Sequence, residues 1–451
     1  MRIEWLENDN RQSYIRLAEH TANKFDLREG QKITVSLGGE SWKAAVTVCE
    51  DCAPDVIGIS QKLRSPLEFP NQLTFQVIKR GNELRLGPVI ALLVNYTRQE
   101  LNGRKLSRLR DYFRHSELRD GLLYICAKDS IDVRSRTVIG FCYHLGGTGT
   151  GEWHPGIFPF PDSAYNRAVL TKERFEAIEE SSGGRIFNPY TEGSFNKREL
   201  WERLSPIPEL LPHLPHTEPL KDIHTIDRML QLHEKVYLKP AGGTLSQGVV
   251  RLEKENGRYC AITPVRGKTR RAVSKLRFEH TGSFAEWIDG LSQSDYIVQQ
   301  AITMKRYENR VVDFRAIVQK SDFNRWDCTA IFAKFGKPGS IISNFTSSGY
   351  LLPANKALRL LFGIGDADAE RMACDIEQIA LDLGNVFDAY GLYGDLGIDL
   401  MVDETGHIWI LEANTLDTYH RFPLHVNDRR LYQSIVTNPL RFAKYISGFH
   451  G

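Results

Sequence analysis

The sequence predicts a mixed α/β protein, with α+β character, folded as more than one domain. Three observations carry that expectation. Through residue 85, short β-branched runs alternate with glycine and polar breaks. From Leu86 onward the order becomes strand, helix, strand, the mark of an α/β layer. Near the C-terminus, Gly391 to Thr418 reads as a β-hairpin with polar side chains gathered along it. A chain of 451 residues exceeds one ordinary hydrophobic core, so about two or three domains are expected.

Composition narrows the class. Hydrophobic content of 41% and charged content of 25% are those of a globular protein. A net charge of +2 gives no reason to expect nucleic acid or an anionic membrane as partner. The longest apolar run, Leu86 to Val94, is too short to span a bilayer, and MRIEWLENDNRQ lacks the apolar core of a signal peptide. A cytoplasmic protein without a membrane span follows. Seven scattered cysteines suit reduced thiols in that compartment. Cys49-Glu-Asp-Cys52 has no second pair beside it, which argues against a zinc or redox site.

Lys32 to Leu37, Trp42 to Val48 and Leu73 to Lys79 read as strands of a small accessory β-domain, residues 1–85. Residues 86–190 read as an α/β domain. Pro88 to Val94 is apolar throughout, as in a parallel strand buried on both faces. Tyr112 to Leu118 is amphipathic enough for a helix, and Gly121 to Ala127 and Thr137 to Cys142 are further strands. Gly146 to Phe160, rich in Gly, Trp and Pro, is expected to be an exposed loop.

Residues 191–451 hold the informative chemistry. Arg198 to Leu204 reads as a helix with Asn196 as its cap, and Thr225 to His233 as another. Lys235 to Pro240 is a strand ending in a lysine, followed by Ala241-Gly-Gly-Thr-Leu-Ser-Gln-Gly248 and a strand from Val249 to Leu252. Such a loop can turn backbone N–H groups toward phosphate oxygens, with Lys239 beside them. A plain hairpin turn is the other reading, since neither a Walker A ending nor GxGxxG occurs. Asp295 to Ile302 is a short apolar strand. Met372, Ile376, Ile379, Leu383, Val386 and Tyr390 recur at helical spacing, with acidic residues at the start and Gly391 as a stop. A last helix is expected from Arg429 to Tyr445.

In the hairpin, Leu396 to Val402 and His407 to Asn414 flank the turn Asp403-Glu-Thr-Gly406. Closing a four-residue turn with Val402 opposite His407 places Asp399 opposite Ile410, Glu412 on the diagonal and Asn414 two residues on. Hard oxygen donors converging this way suit Mg2+. A solvated acidic face is the alternative, but Ile408 and Ile410 would share it. His407 and His420 read as core or surface histidines.

The order of these pieces resembles the ATP-grasp superfamily, and within it the YheC/YheD endospore coat-associated group. Carrying the resemblance are Leu86-Gly-Pro88, Trp153 to Arg167, Phe195-Asn-Lys197, Val298-Gln-Gln-Ala-Ile302, Asp313-Phe-Arg315, Ser343-Asn344 and Gly397 to Asn414. It implies an ATP-grasp fold preceded by an α/β pre-ATP-grasp domain and the small β-rich domain, with a flap subdomain at about 222–300. It also implies ATP and Mg2+ as cofactors. Lys197 and Lys239 would contact ATP, and Gly242, Gly243, Ser246 and Gly248 would belong to the flap over its phosphates. Gln299, Gln300 and Ile302 would line the adenine hinge, and Asp313 the ribose side. Arg315 and Asn344 would face the transferring phosphoryl group, and Asp399, Glu412 and Asn414 would ligate the metal. Lys334 stands where related glutamate-adding ligases carry arginine; it keeps the charge without the bidentate fork. Ser347-Ser-Gly-Tyr350 replaces a glycine pair of those ligases.

The activity so implied is a carboxylate–amine ligase working through an acyl phosphate on small-molecule or peptide acids and amines. Spore coat components would be its partners. A spore-associated structural or nucleotide-binding protein without turnover and a small-molecule kinase are the alternatives that keep the same fold.

Overall fold

The computed structural model describes the chain apart from residues 7–12, 64–65, 71–72, 115–119, 146–150, 190–196, 243–247, 266–271, 293, 339–348, 417 and 450–451. The described residues form four β-sheets with helices laid against them.

The first sheet has seven strands from Arg2–Leu6 to Glu83–Gly87. It does not stand apart. Its buried side chains, among them Ile15, Val35 and Leu84, share one core with Val89, Tyr124 and Phe158 of the second sheet. Arg85 of the first sheet also reaches Asp162 at 3.0 Å, and that carboxylate accepts from the Val89 N–H at 2.8 Å.

At the centre of the second sheet, Val89–Val94 is buried throughout. It pairs in parallel with Leu122–Ala127 on one side and Ser163–Arg167 on the other. One expectation is corrected here. Gly151–Pro159 is a strand, paired antiparallel with Thr137–Leu145, where a loop was expected. Gly156 explains the tolerance of that strand: a Cβ there would lie 2.1 Å from the Glu68 carbonyl oxygen, so only glycine permits the close approach. Most of the helix expected over Tyr112 to Leu118 lies outside the described residues; before it stand a helix at Gly103–Leu109, where the Asn102 side chain caps the Lys105 N–H, and a single 3-10 turn at Arg110–Phe113.

The third sheet runs from Thr217–Pro219 to Ala272–Arg277. Its strands Lys235–Pro240, Val250–Glu255 and Tyr296–Gln300 pack over helices Ile223–His233 and Thr281–Ser292. The fourth sheet is built on two long strands, Arg310–Lys320 and Trp326–Phe335, with the hairpin Asp395–Val402 and Ile408–Asn414 beside them. Helices Ala354–Phe362 and Asp366–Phe387 cover one face of this sheet. The second of these ends at Phe387, short of the expected Tyr390, which is exposed against Arg203.

Helix Arg429–Ser447 joins the halves. Its Val436, Leu440 and Phe442 pack on Leu92, Tyr165 and Phe187 of the second sheet. Asn188, buried and at φ +59°, is a second tie. Its amide donates to the carbonyls of Asp395 and Thr415 and its oxygen accepts from the N–H groups of Gly394 and Asp395. Cys49 and Cys52 form a disulfide, which corrects the expectation that all the cysteines are thiols. Among the described residues no helix is long and apolar enough to cross a membrane.

Asn188→Ala strands four buried backbone groups, each worth about 1–3 kcal/mol when unsatisfied. Urea unfolding should show a loss of at least about 3 kcal/mol. A loss no larger than that of an exposed asparagine, such as Asn256→Ala, would show that Asn188 does not hold the hairpin.

Candidate active site between the third and fourth sheets

The hairpin is shaped by Asp403. Its carboxylate accepts from Thr405 N–H, His407 N–H and the Trp409 indole, and Gly406 takes φ +91°. The turn closes with Asp403 N–H on the His407 carbonyl, so Val402 faces Ile408, one residue away from the expected register. A β-bulge then makes Leu411 an extra residue: Leu400 faces Ile410, but Asp399 faces Glu412 directly rather than diagonally. Ile408, Ile410 and Ala413 therefore enter the helix-covered core, while Glu412 and Asn414 lie on the opposite face with Asp399. The isoleucines do not share the polar face.

Neighbouring strands add to that face. Arg315 stands opposite Asp399 and Asp313 opposite Lys334. Arg315 clamps Asp399 with two bonds of 2.7 Å, and its remaining terminal nitrogen donates to the Thr418 carbonyl at 3.3 Å. Lys334 donates to the same carboxylate at 2.8 Å and lies 3.2 Å from Asp313. Gly397 leaves room for this: a Cβ there would come 2.9 Å from the Arg315 guanidinium. Burial alone would raise the Asp399 carboxyl, but Arg315 and then Lys334 hold it well below the usual carboxylate range. Burial likewise opposes the charge on Arg315 and on Lys334. Asp399 for the first, Asp313 and Asp399 for the second, outweigh it and raise both.

Asp399 is thereby fully engaged. Arg315, Lys334 and, at 3.3 Å, Asn414 supply four donors, as many as a carboxylate has lone-pair sites. Among the described residues, Glu412 has no hydrogen bond, and the Asn414 side chain uses only its N–H2 group, toward Gly397 and Asp399. The donor set thus fits Mg2+ through Glu412 and the Asn414 oxygen, with phosphate oxygens and water completing the shell. Asp399, in this arrangement, is the counter-ion of two cations.

The third sheet faces this one. Lys239 and Gln299 share a sheet face, and the ammonium donates to the Gln299 oxygen at 2.5 Å. Gln299 in turn donates to Thr217 at 2.9 Å. The Lys197 N–H binds the Ala241 carbonyl, which seats the start of helix Lys197–Leu204 at the end of the Lys239 strand. Burial first, then the neighbouring charge of Lys197, pulls the Lys239 ammonium down to about 8, and Glu412 works against both.

The other expected residues divide. Gln300 lies on the opposite face from Lys239, its side chain accepting from the His216 N–H at 3.2 Å. Ile302 is half-buried beyond the strand end. Gly242 is exposed, and Gly248 takes φ +70° under Tyr296, whose hydroxyl lies 3.4 Å from its carbonyl. Gly243, Ser246, Asn344 and the cap Asn196 lie outside the described residues.

Sequence reasoning missed Asp395. It lies on the face of Asp399 and accepts from Gln319 at 2.7 Å, Thr418 at 2.8 Å and Tyr165 at 2.5 Å. His420 Nε2 lies 3.0 Å from it, and His420 Nδ1 meets the Tyr112 hydroxyl at 2.7 Å. Burial would raise this carboxyl, but His420, Tyr165 and Gln319 hold it at about 2. The alternation Asp395-x-Gly397-x-Asp399 was the available signal, since residues two apart share a strand face.

The fold is an ATP-grasp fold. More particularly, the chain belongs to the YheC/D-like ATP-grasp family, whose pattern it matches over residues 184–446. It is 23% identical over 403 residues to the endospore coat-associated protein YheD of Bacillus subtilis strain 168, covering 86% of this chain and 85% of that one. To the endospore coat-associated protein YheC of the same strain it is 21% identical over 311 residues, 67% of this chain and 82% of that one. Among solved structures it is similar to the macrocyclase MdnC of Microcystis aeruginosa, bound with precursor peptide MdnA. The identity is 13%, the TM-score 0.42, and the coverage 77% of this chain and 97% of that one.

Asp399→Asn leaves two buried cations without their shared carboxylate, and urea unfolding should register a loss of about 3–5 kcal/mol. Glu412→Gln, which breaks no hydrogen bond, should stay within about 0.5 kcal/mol of wild type. Because the Asp399 carboxyl is depressed, its contribution is present above about pH 4 and is lost as pH falls through the folded value. Equal losses in the two variants would contradict this division of roles.

Proposed function

We propose that the chain is an ATP-dependent carboxylate–amine ligase that works through an acyl phosphate and acts in forming the endospore coat or envelope. The observation that supports this most is the hairpin face itself: among the described residues Glu412 and the Asn414 oxygen carry no hydrogen bond, beside the cations Arg315 and Lys334 held by Asp399. A magnesium-bound triphosphate needs both oxygen donors and cations. The coat assignment rests on the names of the two Bacillus relatives.

In this reading Lys197 and Lys239 bind the phosphates, and the flap from Gly242 to Gly248, with Gly243 and Ser246, closes over them. Gln299, Gln300 and Ile302 form the adenine hinge, the last two through backbone groups, and Asp313 lies on the ribose side. Glu412 and Asn414 would hold Mg2+, which offsets charge on the transferring phosphate oxygens when bound. Arg315 keeps one N–H on each terminal nitrogen beyond its bonds to Asp399 and Thr418. Those two N–H groups stabilise the charge that builds as a substrate carboxylate takes the terminal phosphoryl group of ATP. Asp399 and Lys334 hold Arg315 in place, and Asn344 would steady the acyl phosphate until an amine displaces phosphate to leave an amide. Residues 191–451 form the ATP-grasp unit, residues 86–190 the α/β domain beside it, and residues 1–85 an accessory β-rich part that shares the core of that α/β domain.

Hydroxylamine serves as a general amine acceptor in the test. The full chain with ATP, Mg2+ and a panel of carboxylic acids should release ADP and phosphate and form a hydroxamate. Arg315→Lys should slow that reaction by about 10²- to 10³-fold. ADP formed with a stable phosphorylated product, and no hydroxamate with any acid, would replace the ligase by a kinase.

A further inference from the structure

Arg315 is gripped from two sides. Asp399 accepts from its Nε and Nη2 along one edge of the guanidinium, at 2.7 Å each, and the Thr418 carbonyl accepts from Nη1 at 3.3 Å. Two bonds along one edge fix the pair but let the plane rock about that edge, and a third partner off the edge stops it. The aim of the two N–H groups left over is therefore set by where the Thr418 carbonyl stands. The loop that carries this carbonyl lies directly on the hairpin strand: a Cβ on Gly397 would come 3.2 Å from the Thr418 Cα.

Asp395 holds that loop. Its Oδ2 accepts from the Thr418 hydroxyl at 2.8 Å, and His420 Nε2 lies 3.0 Å from the same oxygen. One carboxylate so pins the residues on both sides of Tyr419. Tyr419 itself takes φ +51°, the left-handed region that a bulky side chain avoids, and such backbone persists only where its surroundings fix it. Thr418, His420 and Phe422 are buried, while Tyr419 and Arg421 are exposed. The Arg315 guanidinium lies 5.9 Å from the Phe422 ring centre. Asp395 is steadied from two sheets, by the Tyr165 hydroxyl at 2.5 Å from the second and the Gln319 amide at 2.7 Å from the fourth. A buried carboxylate is costly. What it supplies that an apolar side chain cannot is direction for its donors.

We propose that Asp395 is a positioning residue for phosphoryl transfer: through the Thr418 hydroxyl it fixes the Thr418 carbonyl, and through that carbonyl the direction in which Arg315 presents its two outward N–H groups. The inference rests on the ligase reading, in which those groups meet the transferring phosphoryl group. Asp395 touches neither the nucleotide nor the acid, so its loss slows the chemical step and leaves ATP binding alone. Because Tyr165 belongs to Ser163–Arg167, the α/β domain bears on the reacting end of the site through this one carboxylate.

Asp395→Asn is the direct variant. Thr418→Val, which leaves Asp395 its bonds to Tyr165, Gln319 and His420, keeps the test open if Asp395→Asn does not fold. Thr418→Ser restores the hydroxyl. Thr437→Val removes a buried hydroxyl bonded to the Gln433 carbonyl at 2.7 Å and controls for a bond lost elsewhere. The first readout is NMR of the full chain carrying nitrogen-labelled arginine, with the Arg315 signals assigned by their loss in Arg315→Lys. Rotation about the Arg315 Nε–Cζ bond should be about tenfold faster in Thr418→Val than in wild type, the effect of one charged hydrogen bond. Thr418→Ser and Thr437→Val should match wild type. The second readout is hydroxamate formation from ATP, Mg2+ and the panel of carboxylic acids. Its kcat should fall about tenfold in Thr418→Val and recover in Thr418→Ser, with the Kd for ATP unchanged in both. Faster rotation in Thr418→Val, with no hydroxamate from wild type, would keep the hold on Arg315 and sink the ligase reading. Rotation unchanged in Thr418→Val, or hydroxamate formed at the wild-type rate despite faster rotation, would overturn the proposal.

Discussion

The arrangement of the site depends on one extra residue in a hairpin. Had the strands Asp395–Val402 and Ile408–Asn414 paired without a bulge, Ile408, Ile410, Glu412 and Asn414 would lie on one face. Either the isoleucines would leave the core or the oxygens would enter it. Leu411 resolves the conflict: the ladder slips by one residue between Leu400 and Asp399, so apolar and polar sets part company. Bulges of this kind commonly re-aim a side chain beside a site.

The face so created is an electrostatic problem solved locally. Three carboxylates, Asp313, Asp399 and Glu412, and two cations, Arg315 and Lys334, lie close together in a mostly buried setting. Asp399 is the hub, since removing it would leave both cations without compensation at high cost. Two residues before it on the same face, Gly397 gives Arg315 room, and two before that, Asp395 holds Thr418 and His420. One strand therefore orders both the cations Arg315 and Lys334 and the residues Thr418 and His420 behind them.

Much of this was legible in the sequence. The Asp399, Glu412 and Asn414 set, the Lys239 strand and the buried Val89–Val94 strand all follow from period and residue type. The register did not, because turn closure by the Asp403 carboxylate and a bulge are tertiary choices that a period-2 pattern cannot register. Gly151–Pro159 was hidden by its Pro and Gly, residues that usually break strands but are tolerated beside the close contact at Gly156. The long strands Arg310–Lys320 and Trp326–Phe335, which supply Arg315 and Lys334, gave no hairpin signal between them. Tyr112, Arg167 and His420 meet only through folding, across separations of up to 308 residues, and no local pattern announces them.

The most direct measurement is calorimetric titration of ATP and Mg2+ into the full chain and Lys239→Met, near pH 7 and near pH 9. Burial and the charge of Lys197 pull the Lys239 ammonium down to about 8, and a phosphate bound beside it would raise it. Wild type should bind ATP at both pH values, more weakly at the higher one and with proton uptake there. Lys239→Met should bind weakly and lose the pH dependence. Absence of ATP binding by wild type, or binding by Lys239→Met as tight as that of wild type at both pH values, would contradict a nucleotide site between the third and fourth sheets.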